Sequence, residues 1–271
     1  MSTAPSIRPD VAAAKQPTHA ASRPRGVGAR LLAASAIALL LAGNVALARA
    51  GYRLFSDVQR VRSDPYGLSV YGGAPAPADV AGTRRVLLYG DSRAQMWSTP
   101  ARVGSFAFVN RGIGSQSTAQ ILGRFEQDLA ALHPDVVVLE LGINDLKTIA
   151  LFPDEERAIV ARVKQNIATL VRRARDVGAT VVLVTVFPVG PVAWSWLPVW
   201  TARVPASVVE VNAYLESLRA PGVRLLHANE VLLDAKGEID PRFALDMLHL
   251  TPAAYAALND RQLLPLLATL E

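Results

Sequence analysis

The chain has 271 residues, 51% of them hydrophobic, with a formal net charge of +5 and no cysteine. That size and apolar content support one substantial folded domain plus a tail and exclude wholesale disorder. The missing cysteines exclude disulfides, thiolate catalysis and Cys-ligated metals. The excess charge sits in the first 50 residues, where Arg8, Lys15, Arg23, Arg25, Arg30 and Arg49 face Asp10 alone; residues 51–271 hold 22 cationic and 22 anionic side chains. A neutral domain without a basic stripe argues against a nucleic-acid partner.

Residues 1–30, rich in Ala, Pro, Ser and Arg with no apolar period, are expected to form a disordered cytoplasmic tail. Residues 31–48 carry no charge and are just long enough to span a thin hydrocarbon core. Arg23, Arg25 and Arg30 precede them, so the positive-inside rule keeps the N-terminus cytoplasmic and exports the remainder of the chain. Two fates stay open: an uncleaved signal anchor, favoured by the long polar tail, or a signal peptide cut after Ala48 or Ala50. Either places the domain in the periplasm or outside the cell, with membrane contact through residues 31–48. Residues 49–81 read as a stalk, with a short helix over Tyr52–Arg62 and a Gly/Pro linker over Gly72–Ala78. The folded domain is expected over residues 82–271.

From there strands and helices alternate. Apolar runs predict strands at Arg85–Tyr89, Phe106–Asn110, Asp135–Leu141, Thr180–Val186 and Val223–His227. Helical spacing predicts helices at Thr118–Leu132, Asp154–Val177, Val204–Leu218 and Pro252–Leu270, the last opened by Thr251 as cap and kinked near its end by Pro265. Such alternation implies an α/β fold: a parallel sheet of about five strands with helices on both faces, three layers in all.

The first strand runs into Gly90-Asp91-Ser92. A serine there lies at the carboxyl edge of the sheet, where ligands bind, although Asp and Ser are also ordinary helix caps. Of four histidines, His19 falls in the tail, His133 suits a helix-end cap, and His227 reads as structural. His249 comes three residues after Asp246 in an irregular turn. Such an Asp can reach the imidazole Nδ1, leaving Nε2 free to take a proton from a serine. The third strand ends in Gly142-Ile143-Asn144-Asp145. With strand order 2-1-3-4-5 the Asn144 amide projects toward Ser92, although an Asx turn is the plainer reading. Asn110–Ser117 is a Gly-rich turn whose N–H groups face the same region, and it lacks the phosphate-loop and dinucleotide patterns.

These four segments, in this order, resemble the four sequence blocks of the SGNH (GDSL) hydrolases over about residue 82 to the end. The resemblance implies a flavodoxin-like fold and hydrolysis of esters or thioesters without cofactor or metal. It implies Ser92 as nucleophile, His249 as base and Asp246 as its orienter. The implied oxyanion donors are the Ser92 N–H, the Asn144 side chain and a second-block N–H. Where that block usually ends in glycine this chain has Ser115, with Gly114 as the alternative donor. Arg93, directly after the serine, is a candidate for binding an anionic substrate group or simply for covering the helix start. The segment 187–200 comes after the fourth strand and carries Trp194, Trp196 and Trp200, which suit a lid, a sugar platform, a membrane flap or plain packing over the core. An acyl ester, on a polysaccharide of the envelope or secreted, is the expected partner. Lipid hydrolysis, acyl transfer to a sugar and a non-catalytic glycan-binding module stay open.

Overall fold

The computed structural model describes residues 26–72 and 81–270. The expected disordered tail lies outside them up to residue 25, as does most of the Gly72–Ala78 linker.

Residues 27–63 form one continuous helix with no buried residue. It is long and apolar enough to cross a membrane. The apolar stretch 31–48 and the helix expected at 52–62 are parts of this single element. No proline interrupts residues 27–63, and one glycine such as Gly51 costs a helix only about 1 kcal/mol.

The folded unit is built on a six-stranded sheet. Its strands are β1 (Arg84–Gly90), β2 (Arg102–Val103), β3 (Phe106–Asn110), β4 (Val136–Glu140), β5 (Thr180–Val184) and β6 (Val223–Leu226), in the order β2-β3-β1-β4-β5-β6. The five long strands are parallel and take the expected 2-1-3-4-5 order. The sixth is β2, a two-residue antiparallel edge on β3, too short to leave a periodic signal.

Successive strand residues point to opposite faces, and this alternation makes the layers. Leu87, Tyr89, Val137, Leu139, Val181 and Leu183 pack under the helices Thr118–Leu132, Glu156–Asp176 and Arg203–Ser217. Val86, Leu88, Val136, Val138, Val182 and Val184 pack against Trp97, Phe187 and the C-terminal helical segment. Both faces are covered, so the strands read as unbroken apolar runs. Each fully buried Leu or Val contributes about 1.5–3 kcal/mol from transfer alone.

The C-terminal segment is not one α-helix. Pro252–Leu258 is α-helical, Asn259–Leu263 is a π-turn and Leu264–Ala268 is α-helical again. Pro265 has no N–H to give Arg261 and its ring would press on that carbonyl; widening the preceding turn relieves both. The π-turn also presents Asn259, which bridges the Trp97 indole and the Ser98 carbonyl. The chain passes from β1 to β3 on one side and then to β4 on the other. The loops after these three strands therefore converge at the switch point beside β1.

Candidate active site

β1 ends at Gly90, and Asp91 caps the single helical turn Ser92–Gln95 by accepting the Arg93 N–H at 2.9 Å. The cap is thus the aspartate, and the Ser92 hydroxyl is free for another partner. That partner is His249, whose Nε2 lies 3.0 Å from Ser92 Oγ. His249 Nδ1 lies 2.8 Å from Asp246 Oδ2. The other carboxylate oxygen, Oδ1, accepts the N–H groups of Leu248 at 2.7 Å and His249 at 2.8 Å. The Asp246–His249 turn therefore fixes its own carboxylate. Partial burial raises the Asp246 carboxyl, but the His249 hydrogen bond, the two N–H donors and the imidazole charge together hold it below its ordinary value of 3.8.

Residues well separated in sequence brace both partners. Tyr255 donates its hydroxyl to the Arg93 carbonyl. Gly190 N–H donates to the Met247 carbonyl, and a Cβ at Gly190 would lie 2.6 Å from the Asp246 carbonyl. Only glycine allows that approach. Gly190 is a site residue that the sequence did not disclose, hidden inside a Pro-rich loop.

The loop after β3 lies against the serine turn. Arg111 and Ile113 donate main-chain N–H groups to the Leu88 and Gly90 carbonyls, and Asn110 Nδ2 donates to the Ala94 carbonyl. A side-chain carbon at Gly114 would sit 3.7 Å from Ser92 Cβ. Ser115 comes next with φ of 64°, in the left-handed region that costs a non-glycine residue about 1–2 kcal/mol. Asn144, on the turn after β4, is buried and donates Nδ2 to the Gln116 carbonyl at 3.1 Å; the second amide hydrogen is left for another acceptor. Asp145, its neighbour, accepts the N–H and hydroxyl of Thr118 at the start of the next helix.

Arg93 turns into the interior. It is fully buried, with Nε donating to the Leu248 carbonyl at 2.7 Å and Nη1 to the Phe187 carbonyl at 3.3 Å. The guanidinium ties the serine turn to the Asp246–His249 turn and to the loop after β5. Of its two expected roles, these bonds favour covering the start of the serine turn. Trp200 packs against the core, whereas Trp194 and Trp196, on a short 3-10 turn at residues 194–199, are 84% and 51% exposed.

Beneath the serine turn lies a buried charge cluster. Arg93 Nη1 forms an ion pair with Glu140 Oε1 at 3.7 Å, too long for a hydrogen bond, and neither Glu140 oxygen has a hydrogen-bond partner among the described residues. Burial and the nearby Asp91 push the Glu140 carboxyl well above its ordinary value of 4.5, against the pull of Arg93. Burial also raises Asp91, and Lys147 loses proton affinity through its own burial. Both carboxyls are thus pushed toward their protonated form, Glu140 mainly by its burial. A raised folded-state pKa means that the folded protein binds this proton more tightly than the unfolded chain. The contribution to stability is complete below the unfolded value and is lost as pH rises toward the folded one. Glu140→Gln, which keeps the shape and removes the titration, is therefore expected to flatten the fall in stability as pH rises above 4.5. Urea midpoints followed across that rise measure it, and an unchanged slope would show that Glu140 does not carry the proton.

The sequence model of the GDSL-like lipase/acylhydrolase family matches residues 80–257. Among solved structures, the fold is similar to a GDSL-like lipase from Bacteroides thetaiotaomicron, with 21% identity over 72% of this chain and 94% of that chain and a TM-score of 0.57. It is similar to a variant of an acetyl-xylooligosaccharide esterase from Geobacillus, with 18% identity over 66% and 92% and a TM-score of 0.51. A member of the lipolytic G-D-S-L family from Veillonella parvula has 16% identity over 65% and 94% and a TM-score of 0.50. No curated protein matches the chain. Those structural likenesses establish the α/β fold, and the family match over about two thirds of the sequence establishes the rest: the chain is an ester hydrolase belonging to the GDSL-like lipase/acylhydrolase family.

Proposed function

We propose that the chain is a serine esterase that removes short acyl groups, acetyl foremost, from a glycan outside the cytoplasm, held there by the helix through residues 31–48. One observation carries the chemistry: Ser92 Oγ, His249 Nε2, His249 Nδ1 and Asp246 Oδ2 form a continuous line with steps of 3.0 and 2.8 Å. His249 takes the Ser92 proton as Oγ attacks the ester carbonyl, and Asp246 holds the tautomer and balances the imidazolium. The N–H groups of Ser92 and Ser115 and the spare Asn144 amide hydrogen receive the oxyanion, with Gly114 the alternative to Ser115. His249 returns the proton to the departing alcohol oxygen. It then takes a proton from the water that attacks the acyl-Ser92 ester and returns it to Ser92 Oγ as the acid is released.

Three features support the glycan ester. A structural neighbour is an acetyl-xylooligosaccharide esterase. Trp194 and Trp196 stand exposed on the loop after β5, at the same sheet edge as Ser92, and indole faces stack on sugar rings. The helix Val27–Ser63 satisfies the length and apolarity of a membrane span. The test is kcat/KM for p-nitrophenyl acetate, butyrate and palmitate with the full chain in detergent. Acetate is expected to exceed palmitate by at least about tenfold, several methylenes of discrimination in a small acyl site. Preference for palmitate sinks the short-acyl reading, and turnover of none of them sinks the serine esterase.

A further inference from the structure

Residues 64–71 come directly after the long N-terminal helix. They fold on themselves: Asp64 accepts the N–H groups of Leu68 and Ser69 and the Ser69 hydroxyl. This small knot is then fastened to the loop after β3. The Tyr71 hydroxyl donates to the Gly112 carbonyl at 2.7 Å, and the Arg111 guanidinium lies 4.5 Å from the Tyr71 ring centre. Gln116 Nε2 donates to the Tyr66 carbonyl at 2.7 Å, and Gln120 Nε2 donates to the Pro65 carbonyl at 2.8 Å. The Tyr66 ring rests on Gly123, where any side chain would meet it within 2.3 Å.

Gln116 is the point at which this strap reaches the chemistry. Its side-chain oxygen accepts Arg124 Nε at 2.7 Å, its main-chain oxygen accepts Asn144 Nδ2 at 3.1 Å, and it stands directly after Ser115. Both second-block and third-block oxyanion donors are therefore one covalent or hydrogen bond away from a residue that the strap holds. Ser115 needs holding, because a serine at φ of 64° persists only where its surroundings over-determine it. Gly112 and Gln116, on either side of it, are both bonded to the strap.

We propose that residues 64–71 are a positioning strap for the oxyanion hole, with Tyr66 and Tyr71 keeping the Ser115 N–H and the Asn144 amide aimed at the reacting carbonyl. The strap touches no substrate and acts through Gly112 and Gln116. It rests on Ser115 and Asn144 being the oxyanion donors of the proposed esterase. Its consequence is that transition-state stabilisation depends on the segment that joins the domain to the membrane-type helix.

The test compares wild type, Tyr66→Ala/Tyr71→Ala and Tyr71→Phe as full chains in detergent, on p-nitrophenyl acetate. Rates are normalised to active sites titrated with an organophosphonate. The double variant is expected to lose about 10–30-fold in kcat with KM within about twofold, less than outright removal of a donor because the groups are displaced rather than absent. Tyr71→Phe keeps the ring over Arg111 and loses one hydrogen bond; about a threefold loss in kcat at unchanged KM is expected. Glycine is at ease at positive φ, so placing Ser115→Gly beneath the double variant should shrink the strap's effect to about threefold or less. A strap that only added stability would lower the melting temperature and leave kcat per titrated site unchanged, and that result overturns the proposal. If the double variant does not fold, Tyr71→Phe decides: wild-type kcat overturns the strap and the threefold loss supports it. Failure of the underlying reading looks different, since ester turnover is then absent in wild type or survives Ser92→Ala.

Discussion

Ser92→Ala is expected to lower kcat for p-nitrophenyl acetate by about 10³-fold or more while leaving the fold intact. Without Oγ there is no atom to form the acyl bond, and the surviving oxyanion donors can assist only attack by water. The intact fold is a consequence of the local bonding. Asp91, not Ser92, caps the turn at residues 92–95, so the alanine loses no helix-cap energy. The hydroxyl's side-chain partner is His249 Nε2, and the His249 side chain is 30% exposed, so water can take over that bond. The melting temperature should therefore shift by no more than a conservative surface change would cause, about 0.5 kcal/mol in stability. The measurement is a pair: initial rate and thermal unfolding on the same preparation. Wild-type turnover with a wild-type melting curve would remove Ser92 from the mechanism and leave the Asp246–His249 turn without a nucleophile.

Most of the architecture was legible because it is written in periods that one strand or helix imposes on its own residues. Leu87/Tyr89 against Val86/Leu88, and Ile121, Phe125, Leu129 and Leu132 along one helix, declare their burial without reference to partners. The grouping of Ser92, His249 and Asp246 was legible for a related reason. Asp246 and His249 are three residues apart in one turn, and Ser92 ends an apolar strand. The role of Arg93 was left open because its partners are main-chain carbonyls at residues 187 and 248, which have no sequence signature. One signal was available. Glu140 is the only charged residue in the run Val136–Leu141 of a strand buried on both faces, and an ionisable group there needs a compensating neighbour. Glu140 pairs in register with Gly90, three residues before Arg93. The strap was invisible for the reason Arg93 was, since Pro65 and Tyr66 offer carbonyl oxygens to Gln120 and Gln116 and nothing about such a contact recurs along the chain.

Asp246→Asn is expected to lower kcat by about 10³–10⁴-fold with little change in stability, and the reason lies in how the carboxylate is divided. Oδ1 receives two main-chain N–H groups, from Leu248 and His249, while Oδ2 faces the imidazole Nδ1. An asparagine can satisfy two donors only with its oxygen, so the oxygen stays on the Oδ1 side and the turn keeps its shape. The NH₂ group is then forced against Nδ1. Nδ1 must become an acceptor, which sends the single proton of the neutral ring to Nε2. That proton points at Ser92 Oγ, and His249 can no longer receive one from it. The imidazolium also loses the carboxylate that balances it during attack. The variant thus separates two roles that a deletion would mix: it keeps the two hydrogen bonds that build the turn and inverts the one that sets the tautomer. kcat and unfolding measured together check it. A loss smaller than about tenfold would mean that the Nδ1 partner does not set the tautomer used in catalysis, and Asp246 would then be a turn-forming residue whose nearness to His249 is incidental.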